Sequence, residues 1–269
     1  MKPSIKQYFQ KMVDSSVVSP EEVESTLGVP ILGIIPHIER RRIFKKIASG
    51  LTRRVNPDGR WRSRLLTNFP SPSPLHETYT SILKQMLDSG DKPSKRVFLI
   101  ASSSASEGTT TTATNIGIAA AQAGIPTVVV EAHNRASRLS RVFGLKSEPG
   151  LTGAIERHEP VSKLLQAVDV PDLSVITAGR PVSYPGKIWE SPTFESLLKE
   201  LRETFRLVLL ESAPVSDYPD VSALAVRSES VLFVHHLEKV PADVFKKAVS
   251  RIEDHQKSIL GVVLNDVGE

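Results

Sequence analysis

From Lys95 onward the chain alternates short, almost wholly apolar runs with more polar stretches. The apolar runs fall at 97–100, 127–130, 173–176, 207–210, 231–234 and 259–264. They are apolar at nearly every position rather than at every second one. Strands of that kind are covered on both faces, as in a parallel sheet between helical layers. The intervening stretches 115–122, 194–204 and 241–255 read as helices, the first built from small residues. A further helix is expected over 76–88. Upstream, "VSPEEVESTLGVPILGIIP" predicts a helix capped near Ser19, with Pro20 and Glu21 in its first turn. It passes through Gly28 into an extended stretch ending at Pro36. "FPSPSP", 69–74, reads as an extended hinge. The pattern divides the chain into a helix-and-strand segment (1–38), a linker (39–75) and an α/β domain (76–269). The domain is expected to be doubly wound: a mostly parallel central sheet with helices on both faces. Ligands of such sheets bind beyond the carboxyl ends of the strands. No internal repeat is visible.

Charge changes the picture of the linker. Between Arg40 and Arg64 stand ten basic residues and one acid, Asp58, whereas the 269-residue chain as a whole carries only +4. Ile43, Phe44, Ile47, Leu51 and Trp61 are interleaved with them. Such a stripe is either a solvated linker or an interfacial segment for anionic lipid, nucleic acid or an acidic partner. The chain has no cysteine, which excludes disulfides and thiolate metal sites. It shows no apolar core of a signal peptide and no run approaching the ~18 apolar residues that span a bilayer, and is expected to be soluble.

The candidate chemistry lies after the run 97–100. "ASSSASEGTTTTATN", 101–115, has the layout of a loop whose backbone amides cradle phosphate at a helix N-terminus. It contains no lysine, and none occurs between Lys95 and Lys146.

Four stretches carry a specific resemblance. These are "SPEEVESTLGVPILGIIP", "AAAQAGIPTVVVEAHNRASRLSRVFGLKSEPGLTGAI", "ITAGRPVSYPGKIWESPTFESLLKELRETFRLVLLESAPVSDYPD" and "ILGVVLNDV". Together they cover nearly the whole chain. The sequence resembles the cytoplasmic domain of bacterial tyrosine kinases (BY-kinases) and their polysaccharide co-polymerase partners, within the MinD/ParA-like P-loop proteins. The resemblance implies a P-loop NTPase-like fold preceded by a juxtamembrane-type segment. It assigns a Walker A loop to Ser106, Glu107, Gly108, Thr109, Thr110 and Thr111, with Thr110 at the Mg²⁺ position. Glu131, His133 and Arg135 match the family's second acidic motif, Glu211 its Walker B aspartate, and Asn265 its last strand.

The same alignment exposes departures. Ser106 stands for the loop's first glycine, Thr109 for its lysine and His133 for an aspartate. Glu211 keeps the Walker B charge one methylene further out. The family's tyrosine-rich tail has no counterpart: the tyrosines are Tyr8, Tyr79, Tyr184 and Tyr218. Of its oligomerisation motif only Glu77 is kept, with Thr80 and Leu83 at the arginine positions and Lys84 adjacent. Phosphoryl transfer depends mostly on electrostatic positioning of the phosphates. The expectation is therefore a catalytically impaired, pseudokinase-like domain in exopolysaccharide or capsule chain-length control and export. It would work by contact with a membrane co-polymerase or an active BY-kinase, as a homo-oligomer or not. Its expected place is the cytoplasmic, inner face of the plasma membrane, touched through Arg40 to Arg64. ATP and Mg²⁺ would bind weakly or not at all. An active autokinase or ATPase of the same pathway stays open, as does a ParA-like nucleic-acid binder. Met1 lies almost where the family's second transmembrane helix would end, so the chain is either a membrane-free version or a piece of a longer co-polymerase.

Overall fold

The structure is a computed structural model that describes residues 20–37, 64–69, 71–89, 96–133, 137–183 and 185–267. Among them the strands build one eight-stranded sheet. In chain order they are β1 (Ile31–Pro36), β2 (Arg96–Ser102), β3 (Thr127–Glu131), β4 (Gln166–Ala167), β5 (Leu173–Ile176), β6 (Leu207–Glu211), β7 (Ser230–His235) and β8 (Ile259–Val267). Their spatial order is β1-β8-β7-β2-β6-β3-β5-β4. Every pairing is parallel except β4 with β5. The helices are α1 (Pro20–Leu27), α2 (Pro74–Asp88), α3 (Thr109–Gln122), α4 (Leu139–Phe143), α5 (Leu151–Arg157), α6 (Pro185–Trp189), α7 (Pro192–Thr204), α8 (Val221–Arg227) and α9 (Ala242–Glu253). This is the mostly parallel, helix-covered sheet that the apolar runs predict.

The central strand shows why. All seven residues of β2 are buried. Side chains alternate across a strand, so Val97, Leu99 and Ala101 join one core and Phe98 and Ile100 the other. One core holds Trp189, Phe194 and Phe245; the other holds Tyr79, Ile82 and Ile116. Helix α3 lies flush on the second face because its residues are small. A Cβ at Gly117 would stand 2.8 Å from Val129 Cγ2 and 3.3 Å from Leu173 Cδ1, so glycine is what permits the approach. Helices α2 and α7 start by one rule: Ser73 and Ser191 cap the N–H groups of His76 and Phe194, with proline in the first turn.

Two differences from the sequence expectations matter for the site. First, β2, β3, β6 and β7 run on to Ser102, Glu131, Glu211 and His235. Their last residues are polar, so the apolar pattern stops short of them, yet they stay in the ladder. Second, the chain is already folded from Arg64. Leu65 and Leu66 are buried. Asn115 of α3 accepts from Leu66 N at 3.0 Å through Oδ1 and donates to the Arg64 carbonyl at 3.0 Å through Nδ2. Apart from Arg64, the basic stripe lies outside the described residues. So do Arg135, Tyr8 and Tyr184. Among the described residues no helix is long and apolar enough to cross a membrane.

Candidate phosphate-binding site at the carboxyl ends of the strands

The loop after β2 turns through two left-handed residues into the N-terminus of α3. Ser106 has φ 67° and Gly108 φ 99°, so both lie in the left-handed region. A side chain there costs about 1–2 kcal/mol. Ser106 thus holds a turn that glycine adopts without that cost. Thr109 and Thr110 open α3 and are buried, and Gly108 provides no side-chain cap. The first N–H groups of a helix have no acceptor within it.

Glu107 holds the loop in place. Its carboxylate is 0% exposed. Oε1 accepts from Ser103 Oγ and Ser104 N, both at 2.6 Å. Oε2 accepts from His236 N at 3.0 Å and lies 2.9 Å from His235 Nδ1. The carbonyl of Glu107 accepts from Asn265 Nδ2 at 2.8 Å. That amide stands where a Cβ on Gly108 would be, at 2.0 Å. The loop is therefore tied to the ends of β7 and β8. Glu107 and Asn265 act on the loop itself, while Thr111 lies one residue further along α3, half-buried.

Glu131 and Glu211 face each other on one rung of the β3–β6 ladder. Neighbouring strands are about 4.8 Å apart. Their surroundings differ. Glu131 accepts from Leu139 N (2.9 Å), Arg138 N, Ser137 Oγ (3.0 Å) and Ala178 N (3.0 Å), so both oxygens are used to order the start of α4 and the end of β5. Glu211, 1% exposed, accepts from Thr110 Oγ1 at 2.7 Å through Oε1. Its Oε2 is buried and has no hydrogen-bond partner among the described residues. Burial, then the Glu131 carboxylate, push its pKa up to about 8, while the Thr110 bond and the Arg138 charge pull it down. His133 is only 6% exposed and not a solvated loop residue; its ring lies 6.1 Å from that of Tyr218.

Thr109, Thr110, Glu107, Gly108, Asn265, Glu131 and Glu211 thus come together around one loop. Sequence reasoning missed His235, His236 and Arg138. The two histidines directly follow the apolar run 231–234, and polar residues at a strand's carboxyl end were the available signal.

Nucleotide with magnesium is the group that the resemblance implies. The uncapped helix terminus suits an anionic group. No lysine stands in the loop or in its helix. Among the described residues no group of three histidine, aspartate or glutamate side chains could hold a metal ion.

No protein-family model matches the chain. It is 23% identical over 194 residues to the tyrosine-protein kinase CpsD of Streptococcus agalactiae, covering 72% of this chain and 84% of that protein. It is 27% identical over 190 residues to CpsD of Streptococcus pneumoniae, covering 70% and 83%. Among solved structures, the chimerical protein CapA2B2 superposes with TM-score 0.80 at 25% identity, over 93% of this chain and 100% of that one. The kinase domain of the Escherichia coli tyrosine kinase ETK superposes with TM-score 0.81 at 18% identity, over 94% and 96%. The septum site-determining protein MinD of Pyrococcus horikoshii, complexed with Mg-ADP, shares the fold more loosely: TM-score 0.55 at 16% identity, over 63% and 70%.

Proposed function

The homologues of this chain are bacterial tyrosine-protein kinases, and on that premise we propose that it is a catalytically impaired kinase-like domain working through protein contacts. Its setting is exopolysaccharide or capsule chain-length control and export. Its partner there is a membrane co-polymerase or an active kinase of the same kind. Its place is the inner face of the plasma membrane, and the basic stripe is the contact to anionic lipid.

The reading is supported by Thr109, which opens α3 where the family resemblance would put the loop's lysine. A lysine there neutralises the β- and γ-phosphates as charge develops, and positioned charge is most of the catalysis in phosphoryl transfer. Glu131 is committed to structure, and the Thr110 hydroxyl is engaged with Glu211. A helix terminus alone contributes about 0.3–1 kcal/mol, up to roughly 2. Binding of ATP·Mg weaker than about 1 mM, a −4.1 kcal/mol interaction, follows.

Calorimetry with ATP, with and without Mg²⁺, tests this directly. A micromolar dissociation constant would defeat the impaired reading. In Ser106→Gly/Thr109→Lys, the restored glycine and lysine should tighten binding. A folded double variant that still binds nothing would place the block at Glu131, His133 or Glu211 as well.

A second reading is favoured by the retained turn at Ser106, held in spite of its side chain. The domain would then use ATP, with a lysine or arginine supplied by a neighbouring subunit. Turnover that rises with protein concentration would support it.

A further inference from the structure

The first two turns of α3 are poorly suited to a helix. Thr109, Thr110, Thr111, Thr112 and Thr114 are β-branched hydroxyl residues, and Asn115 follows them. Such side chains lose rotamer freedom in a helix or compete for its backbone bonds. The helix forms there because it is packed, and one element packed on it is the short turn Leu66–Asn68. Leu66 shares a core with Tyr79, Ile82 and Ile116. Within the turn, Asn68 N donates to the Leu65 carbonyl at 2.9 Å and Phe69 N to the Leu66 carbonyl at 3.0 Å. Those bonds are internal and need not break if the segment leaves. Its tie to α3 is the Asn115 side chain, which commits both amide atoms to the main chain at Arg64 and Leu66. Asn115 is itself buried. Tyr79 of α2 closes the same node: burial pushes its phenol up to about 12, and the Asn115 side chain and the Arg64 charge are among the influences that oppose this. Were the segment to leave a rigid α3, a buried amide would lose a donor and an acceptor together, which is costly. Water has to reach Asn115 instead, and with it the weak turns around it.

We propose that residues 64–69 form a latch that opens while the sheet stays folded, and that its opening loosens the first two turns of α3. Arg64 ends the basic stripe, so a contact made by the stripe bears directly on the latch. The linker is in this way coupled to the helix after β2 through the two bonds of Asn115. Coupling of this kind needs an element with two arrangements that both ends bias, and the latch is that element. The inference goes beyond the contact reading and holds whether or not the domain binds ATP.

Hydrogen exchange of the full chain tests it, because amides released by one local opening share that opening's free energy. The amides of Leu66, Asn68 and Phe69 and those of 112–115 should show a common protection, weaker than that of 207–210 in β6. Leu66→Ala alters no residue of α3 and should speed both groups by the same factor, about thirtyfold or more. Ile252→Val thins the other core, in which Ile252 is buried. It should speed exchange at 207–210 and leave both groups unchanged. Faster exchange at 64–69 with 112–115 unmoved overturns the coupling. Equal acceleration of all three regions by Ile252→Val overturns the latch, since the segment then opens only with the sheet. If Leu66→Ala does not fold, Leu66→Val makes the same comparison at a smaller factor.

Discussion

Replacing Glu211 by glutamine should change how the stability of the domain depends on pH. In the folded chain, burial and the neighbouring Glu131 raise the Glu211 pKa from 4.5 to about 8. Between those values the native state holds a proton that the unfolded chain has released. The resulting stabilisation is complete below 4.5 and is lost as pH rises through about 8. At about 1.4 kcal/mol per pH unit, ionising Glu211 in place costs on the order of 5 kcal/mol. Domains of this kind are stable by only about 5–15 kcal/mol. Glutamine keeps the shape and an acceptor for Thr110, and it never ionises. Urea midpoints measured from mildly acid to mildly alkaline pH should therefore fall steeply for the natural chain and less for Glu211→Gln. The two should be close at the acid end, with the variant ahead at the alkaline end. Parallel curves would show that Glu211 is ionised at little cost, and the account of its burial would be wrong.

Two further changes probe the loop and the linker. Gly108→Ala places a Cβ 2.0 Å from Asn265 Nδ2 at a residue with φ 99°, so it should cost more than the ~1–2 kcal/mol of left-handed strain alone; Asn265→Ala should recover part of the loss in denaturant midpoint, and no destabilisation would contradict the tie between loop and β8. The full chain should co-sediment with anionic but not neutral vesicles, at about 1 kcal/mol per basic side chain near the surface; raised salt or charge reversal at Arg40, Arg41, Arg42, Lys45 and Lys46 should release it, and tight binding to duplex DNA instead would favour a nucleic-acid role.

The parts of the fold that the sequence discloses are those that depend on local pattern. A run such as 207–210, apolar throughout, has few alternatives to a strand covered on both faces. Helices α2 and α7 each begin two residues before the 76 and 194 expected from pattern, at Ser73-Pro74 and Ser191-Pro192, where a serine cap and a proline act over a few residues. The short helices α4, α5, α6 and α8 lack a repeat long enough to show a period. The contacts that shape the loop are also hidden, because their partners lie far apart in the chain. Glu107 meets His235 across 128 positions and Asn115 meets Arg64 across 51. No residue type at either end names the other.

Glu131 and Glu211 show where such hidden contacts decide function. Both are glutamates that close an apolar strand, and they stand on the same rung. From sequence each reads equally as a structural carboxylate or a ligand. The difference comes from what the surrounding loops deliver. The backbone turns at 137–139 and at Ala178, so that three N–H groups and a hydroxyl converge on Glu131. Only the Thr110 hydroxyl reaches Glu211. Three of the four donors to Glu131 are main-chain amides, which every residue but proline possesses, so nothing in the side-chain sequence marks them. A carboxylate supplied with four donors is finished as structure. One supplied with a single donor and buried beside the first turn of α3 holds its proton more tightly, and in this chain that carboxyl group is Glu211.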